Sequence, residues 1–160
     1  MVILEGITAC FLVLIACVVG IANSPVNLVC LYEKEVQQRV IALGLITEEK
    51  IKRNALYFKL FGIIPFFVLV LVSVYGLNGV RGFWEGFVQI TGILMIEGLF
   101  DRIFIDWYWV GKTKAWTIAG TEDLKPYIYG KTLVFKWLFT IIGYPMIAAL
   151  LAGIMSFIIK

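Results

Sequence analysis

The sequence contains no histidine. That absence excludes His-ligated zinc, His-held haem and every Ser–His or Cys–His nucleophile pair. Charge is scarce too: only 16% of the 160 residues are Asp, Glu, Lys or Arg, where a soluble domain carries about a quarter. The three cysteines, Cys10, Cys17 and Cys30, form no CxxC pair, and Cys10 and Cys17 fall on one face of an apolar run as small buried hydrophobes. Gly111-Lys112-Thr113 lacks the preceding glycine spacing of a phosphate-binding loop. No basic patch stands apart from the apolar runs, so there is no nucleic-acid footprint.

Apolar residues make up 61% of the chain, more than a water-soluble core of this size can hide. The apolar runs are continuous rather than alternating. In lipid, backbone groups must be satisfied internally, so such runs are helices. The expected fold class is all-α: an integral membrane four-helix bundle forming one transmembrane domain, with an amphipathic cytoplasmic helical extension between spans one and two. Spans are expected at about 4–22, 57–77, 83–101 and 134–158, and cytoplasmic segments at about 23–56 and 102–133.

The leader Met1-Val2-Ile3-Leu4-Glu5 has no positive residue, which argues for a first span over a signal peptide. Ser24 and Pro25 have the chemistry of a helix start, and Val26, Val29, Tyr32, Val36, Val40 and Leu43 then recur at helical spacing. A bend at Asn23-Ser24-Pro25 ends span one at the interface or breaks it within the bilayer. Gly44 is a helix stop, and Thr47 with Glu48 and Glu49 starts the next helix. Pro65 is expected to kink span two; Gly143 and Pro145 are expected to bend span four. Gly76-Leu77-Asn78-Gly79 is turn chemistry. Thr121-Glu122-Asp123 reads as a hydroxyl cap with acids in the first turn, and the last helix is expected to begin near Pro126.

Lys and Arg concentrate between spans one and two and between spans three and four, leaving Arg81 alone in the remaining loop. The positive-inside rule therefore puts both basic segments in the cytoplasm and both termini outside the plasma (inner) membrane.

Span three holds Glu85, Gln89, Glu97 and Asp101. Ionisable groups there cost about 2.5–3.5 kcal/mol each on insertion scales, so something should offset them. Glu97 and Asp101, four apart, are candidates for a ligand or proton site, with Gln89 on the same helix. The alternative is that they serve as interhelical glue. Arg102 and Asp106 read as a surface ion pair at the interface. Glu97, Asp101, Asp106 and Glu122, with Asp123, are the oxygen donors that would hold a divalent cation, the one cofactor this composition suggests. Trp107, Trp109, Lys112, Lys114 and Trp116 suit lipid headgroups or interfacial anchoring. Gly82/Gly86 and Ala149/Gly153, with Ala148/Ala152, mark packing faces within a chain, a homo-oligomer or a complex with a partner membrane subunit.

Phe100-Asp101, Ile105-Asp106-Trp107, Lys112, Lys114 and Ile118-Ala119-Gly120-Thr121-Glu122-Asp123-Leu124 resemble a cassette in small bacterial four-span membrane proteins of unassigned function; that cassette has a proline where Ala119 stands. The resemblance covers about residues 97–127. It implies four spans, no known activity, and Asp101, Asp106, Thr121 and Glu122 in one cytoplasmic-side unit with the loop folded back on span three.

Three functional readings remain. The first is a non-enzymatic subunit, regulator or lipid-binding bundle, with the lipid bilayer as partner. The second is an ion or small-solute transporter or channel component using Glu97 and Asp101. The third is a carboxylate–metal enzyme acting on lipid.

Overall fold

The computed structural model describes residues 1–159. It is all-helical, with no strand among those residues. Lys160, the one cation that the charge pattern puts at the chain ends, lies outside them.

Four long helices carry the fold. These are α1 (Val2–Ile21), α3 (Glu48–Leu77), α4 (Phe83–Phe100, continued in wide turns over Asp101–Val110) and α5 (Gly130–Ile158). The short α2 (Lys34–Ala42) lies between α1 and α3. Helices α1, α3 and α5, of 20, 30 and 29 residues, are long and apolar enough to cross a membrane. Their outer faces leave large apolar side chains uncovered, among them Phe11 at 60%, Phe61 at 75%, Met146 at 67% and Phe157 at 77% exposure. Apolar surface this extensive has no place in water.

Local chemistry sets the boundaries. The Thr47 hydroxyl accepts from the Lys50 amide at 3.3 Å and starts α3, with Glu48 and Glu49 on the positive end of the helix dipole. Gly44, at φ +69°, supplies the left-handed residue that lets the chain leave α2. Ser24 caps as expected by accepting from Val26 N, but the helix it starts is a short 3₁₀ segment, Pro25–Leu31. The chain straightens at Tyr32–Glu33 before α2 begins, so the single amphipathic helix expected from Val26 to Leu43 is two pieces. Both pieces turn apolar residues inward, Leu28 and Val29 from one, Val36 and Val40 from the other.

Pro65 and Pro145 act alike. Each lacks an amide hydrogen, and its ring crowds the carbonyl four residues back. Each is preceded by a five-residue π-helical segment, Lys59–Ile63 in α3 and Phe139–Gly143 in α5. The expected kinks are thus widened turns. Helix α5 begins at Gly130, later than the Pro126 expected. Thr121 does not cap a helix, because its hydroxyl is spent on Ile118 O and the Tyr127 hydroxyl.

Two cores result. One joins α1, α3, α4 and α5 through Ala9, Phe66, Val70, Ile90, Leu94 and Ala148. The pairs Gly82/Gly86 and Ala148/Ala152 are partly absorbed here: a Cβ at Gly86 would collide with the Tyr75 hydroxyl, while Ala148 and Ala152 are fully buried. Gly153 has open space around it. The other core joins the two connecting segments to the adjacent helix ends, through Val29, Tyr32, Val36, Ile51, Trp116 and Tyr127. Glu33 N donates to Tyr127 O at 3.0 Å, Thr132 N donates to Glu33 Oε2 at 3.1 Å, and Arg39 pairs with Asp123 at 3.4 Å. The two connections therefore form one unit at one end of the bundle.

Candidate functional site

Where the two cores meet, α4 turns a row of charged residues inward. Its helical spacing places Glu97 and Asp101 four apart, then Arg102 and Asp106 four apart, and the wide turns of Asp101–Val110 bring both sets to one interior. Glu97, Arg102 and Asp106 are 3%, 7% and 5% exposed. The surface ion pair expected of Arg102 and Asp106 is thus a buried one, because α5 and the loop core close over it.

The pairing is dense. Arg102 Nη2 donates to Asp101 Oδ2, and Arg102 Nη1 lies against Asp106 Oδ2. Lys136 of α5 donates to Asp106 Oδ1 at 2.8 Å. Tyr144, also of α5, donates to Glu97 Oε2 at 3.0 Å. Helix α5 can come this close because α4 has glycine there: a Cβ at Gly98 would stand 2.7 Å from both Thr140 and Tyr144.

These groups form one end of a cavity of about 280 Å³. Its remaining wall is apolar, with Val13, Ile63, Phe66, Phe67, Ile105 and Phe139 prominent. Both proline-linked wide turns reach it, through Gly62 and Ile63 of α3 and Phe139 of α5. Tyr32 and Trp116 complete the polar end. Burial pushes the Tyr32 phenol well above its ordinary value, so it stays a neutral hydroxyl. At this end of the cavity, among the described residues, Arg102 Nε, Trp116 Nε1 and the Tyr32 hydroxyl are buried without a hydrogen-bond partner.

The sequence candidates fall into separate places. Glu97, Asp101 and Asp106 meet at the cavity. Gln89 does not: its Oε1 accepts from Asn78 Nδ2 at 2.8 Å and ties the α3–α4 turn. Glu122 is exposed and accepts from Gly120 N at 2.9 Å, while Asp123 is held by Arg39. The loop does fold back on α4, through Trp116, Ile118 and Tyr127, but Thr121 and Glu122 bond within the loop rather than to Asp101 or Asp106. Trp107, Lys112 and Lys114 are exposed, with the Lys112 ammonium 5.7 Å from the Trp107 ring. Trp116 is 1% exposed and packs edge-on to Trp109 and Tyr32, which puts it in the core, away from that surface. No group of three or more Cys, Asp or Glu among the described residues is arranged to hold a metal ion. Asp101 and Asp106 direct their oxygens at Arg102 and Lys136 instead.

Sequence reading missed Lys136, Tyr144 and Tyr32. Lys136, just inside the fourth apolar run, was the available signal, since a lysine there needs an anionic partner.

The fold defines a helical protein with membrane-length apolar helices around a buried, ion-paired cavity. No family model, curated protein or solved structure matches the chain.

Proposed function

We propose that the chain is a four-span, non-enzymatic membrane protein that binds a lipid-like amphiphile in the cavity between α1, α3, α4 and α5. Helix α4 is the fourth span. Its polar groups are offset by Arg102, Lys136 and Tyr144 rather than by water. The joined connecting segments, rich in Lys and Arg, lie in the cytoplasm, and both termini lie outside the plasma membrane. Trp107, Lys112 and Lys114 anchor that end at the headgroups.

The observation that carries the reading is the cavity's polarity. One end is a buried ion-pair network and the rest is apolar, as an amphiphile requires. The metal-enzyme reading is weaker, because the candidate ligands Asp101 and Asp106 already face two cations.

Native mass spectrometry of the protein from gentle detergent tests this. A discrete lipid adduct is expected, unchanged by added Mg²⁺. Repeated preparations free of any lipid adduct would overturn the reading.

One observation favours a transporter as second reading. Wide turns in two helices flank the cavity beside Glu97, and such bulges accompany functional sites. Glu97-dependent flux of a cation in proteoliposomes would establish it.

A further inference from the structure

Resting on the reading of this cavity as a lipid site, we infer that its ligand is a single-chain acyl lipid. The chain runs between α1 and α3, and the carboxyl or ester oxygens sit at the Arg102 end.

The head chemistry follows from what the polar end lacks. Asp101, Arg102, Asp106 and Lys136 are two anions and two cations, so their charges balance. Glu97 is engaged by Tyr144. The shortage is of acceptors: Arg102 Nε, the Trp116 indole N–H and the Tyr32 hydroxyl are buried at the cavity with none. A buried donor without an acceptor is costly, and acyl oxygens supply acceptors without adding a donor. A cationic head would meet Arg102 and Lys136 and leave every free donor unsatisfied.

The chain's path follows from a second cavity of about 440 Å³, walled by Val19, Leu28, Tyr57 and Phe61. The two cavities share Ala16, Phe58 and Gly62. Each is near or above the lower limit of about 300 Å³ for ligand sites. Their common wall is thin because two of its three residues are small. A Cβ at Gly62 would already be in contact with the Ala16 Cβ at 3.6 Å and the Phe58 ring at 3.7 Å, so a methylene chain passes from one cavity to the other only when the Phe58 ring swings aside. In the second cavity Asn54 Nδ2 donates to Asn27 O at 2.9 Å and, among the described residues, no lining polar group is buried without a partner, so the head belongs in the first cavity.

The test compares three amphiphiles of equal chain length on the full chain in detergent: palmitic acid, methyl palmitate and hexadecylamine. Occupancy is read by native mass spectrometry. Position is read by quenching of tryptophan fluorescence with a bromine-labelled palmitic acid, assigned with Trp116→Phe. The acid and the ester are expected to bind, and the amine at least about tenfold more weakly. Tyr32→Phe and Trp116→Phe should each weaken acid and ester binding about threefold to tenfold. Tyr32→Phe should not lower the unfolding temperature, since it removes only a hydroxyl that has no partner in the protein, whereas Trp116→Phe also removes core volume and should lower it. Gly62→Leu should block the chain. The inference is overturned if the amine binds as tightly as the acid, or if both phenylalanine variants bind unchanged. Failure of all three amphiphiles, with no lipid co-purifying, would instead remove the lipid-site reading on which the inference rests.

Discussion

Tyr144 donates its phenolic hydrogen to Glu97 across the α4–α5 contact at 3.0 Å, and among the described residues it is the only side chain that bonds this buried carboxyl. Losing one partner of such a pair costs the desolvation of the other, about 1–3 kcal/mol. Tyr144→Phe is therefore expected to destabilise the bundle by about that much, and Glu97→Gln by less, because the amide oxygen still accepts the phenol. The double change Glu97→Leu with Tyr144→Phe should cost less than the sum of the single changes. Unfolding in a fixed detergent measures all of these. Strict additivity would show that the contact contributes nothing.

Asp106 is the hub of the charged network, because it faces both Arg102 and Lys136. Asp106→Asn leaves Lys136 without its carboxylate and Arg102 with Asp101 alone, and breaking such a network costs about 3–5 kcal/mol. Lys136→Met should cost much less, since Asp106 keeps Arg102 and the lysine side chain is 19% exposed. The measurement is the unfolding midpoint of each variant. Equal losses from the two substitutions would contradict the ranking.

The helices were largely legible because their signals are local. Apolar runs, the Thr47 cap and the Gly44 stop each depend on neighbours in sequence, and each stands in the structure. The site was half legible. The spacing of Glu97, Asp101, Arg102 and Asp106 put them on one helix, but whether Arg102 lies outside or inside depends on Lys136 and Tyr144, thirty or more residues away. Trp116 shows the same limit. Beside Lys112 and Lys114 it has the composition of an interfacial belt, yet its burial is decided by Tyr32 from another part of the chain.

Cys30 provides a pH test outside the long helices. Burial pushes its thiol up to about 11 from 9.0. In a Cys10→Ala, Cys17→Ala background, alkylation should be slow near neutrality. It should rise about tenfold for each pH unit below that value, because only the thiolate reacts. The folded chain holds this proton more tightly than the unfolded chain. The contribution to stability is therefore complete below about pH 9 and is lost as pH climbs toward about 11. A labelling rate that is flat between about pH 7 and pH 9 would place Cys30 in a different environment.

The join between the connecting segments constrains topology more firmly than charge counting does. Glu33 bonds Tyr127 and Thr132, and Val36 and Val40 share a core with Trp116 and Tyr127, so no membrane can lie between these segments. The chain leaves this unit along α3 and returns to it along α4, so α3 and α4 both cross or neither does. Helix α3 is long and apolar enough to cross, and if it crosses, α4 crosses with it despite Glu85, Gln89 and Glu97. Single cysteines in a cysteine-free background test this in sealed vesicles. Lys34→Cys and Lys114→Cys are exposed positions on the joined unit, and Gly82→Cys, with open space around it, lies at the far turn. The first two should label from one side and the third from the other. Labelling of Gly82→Cys from the same side as Lys114→Cys would mean that α4 does not span, and would remove the membrane setting proposed for the cavity.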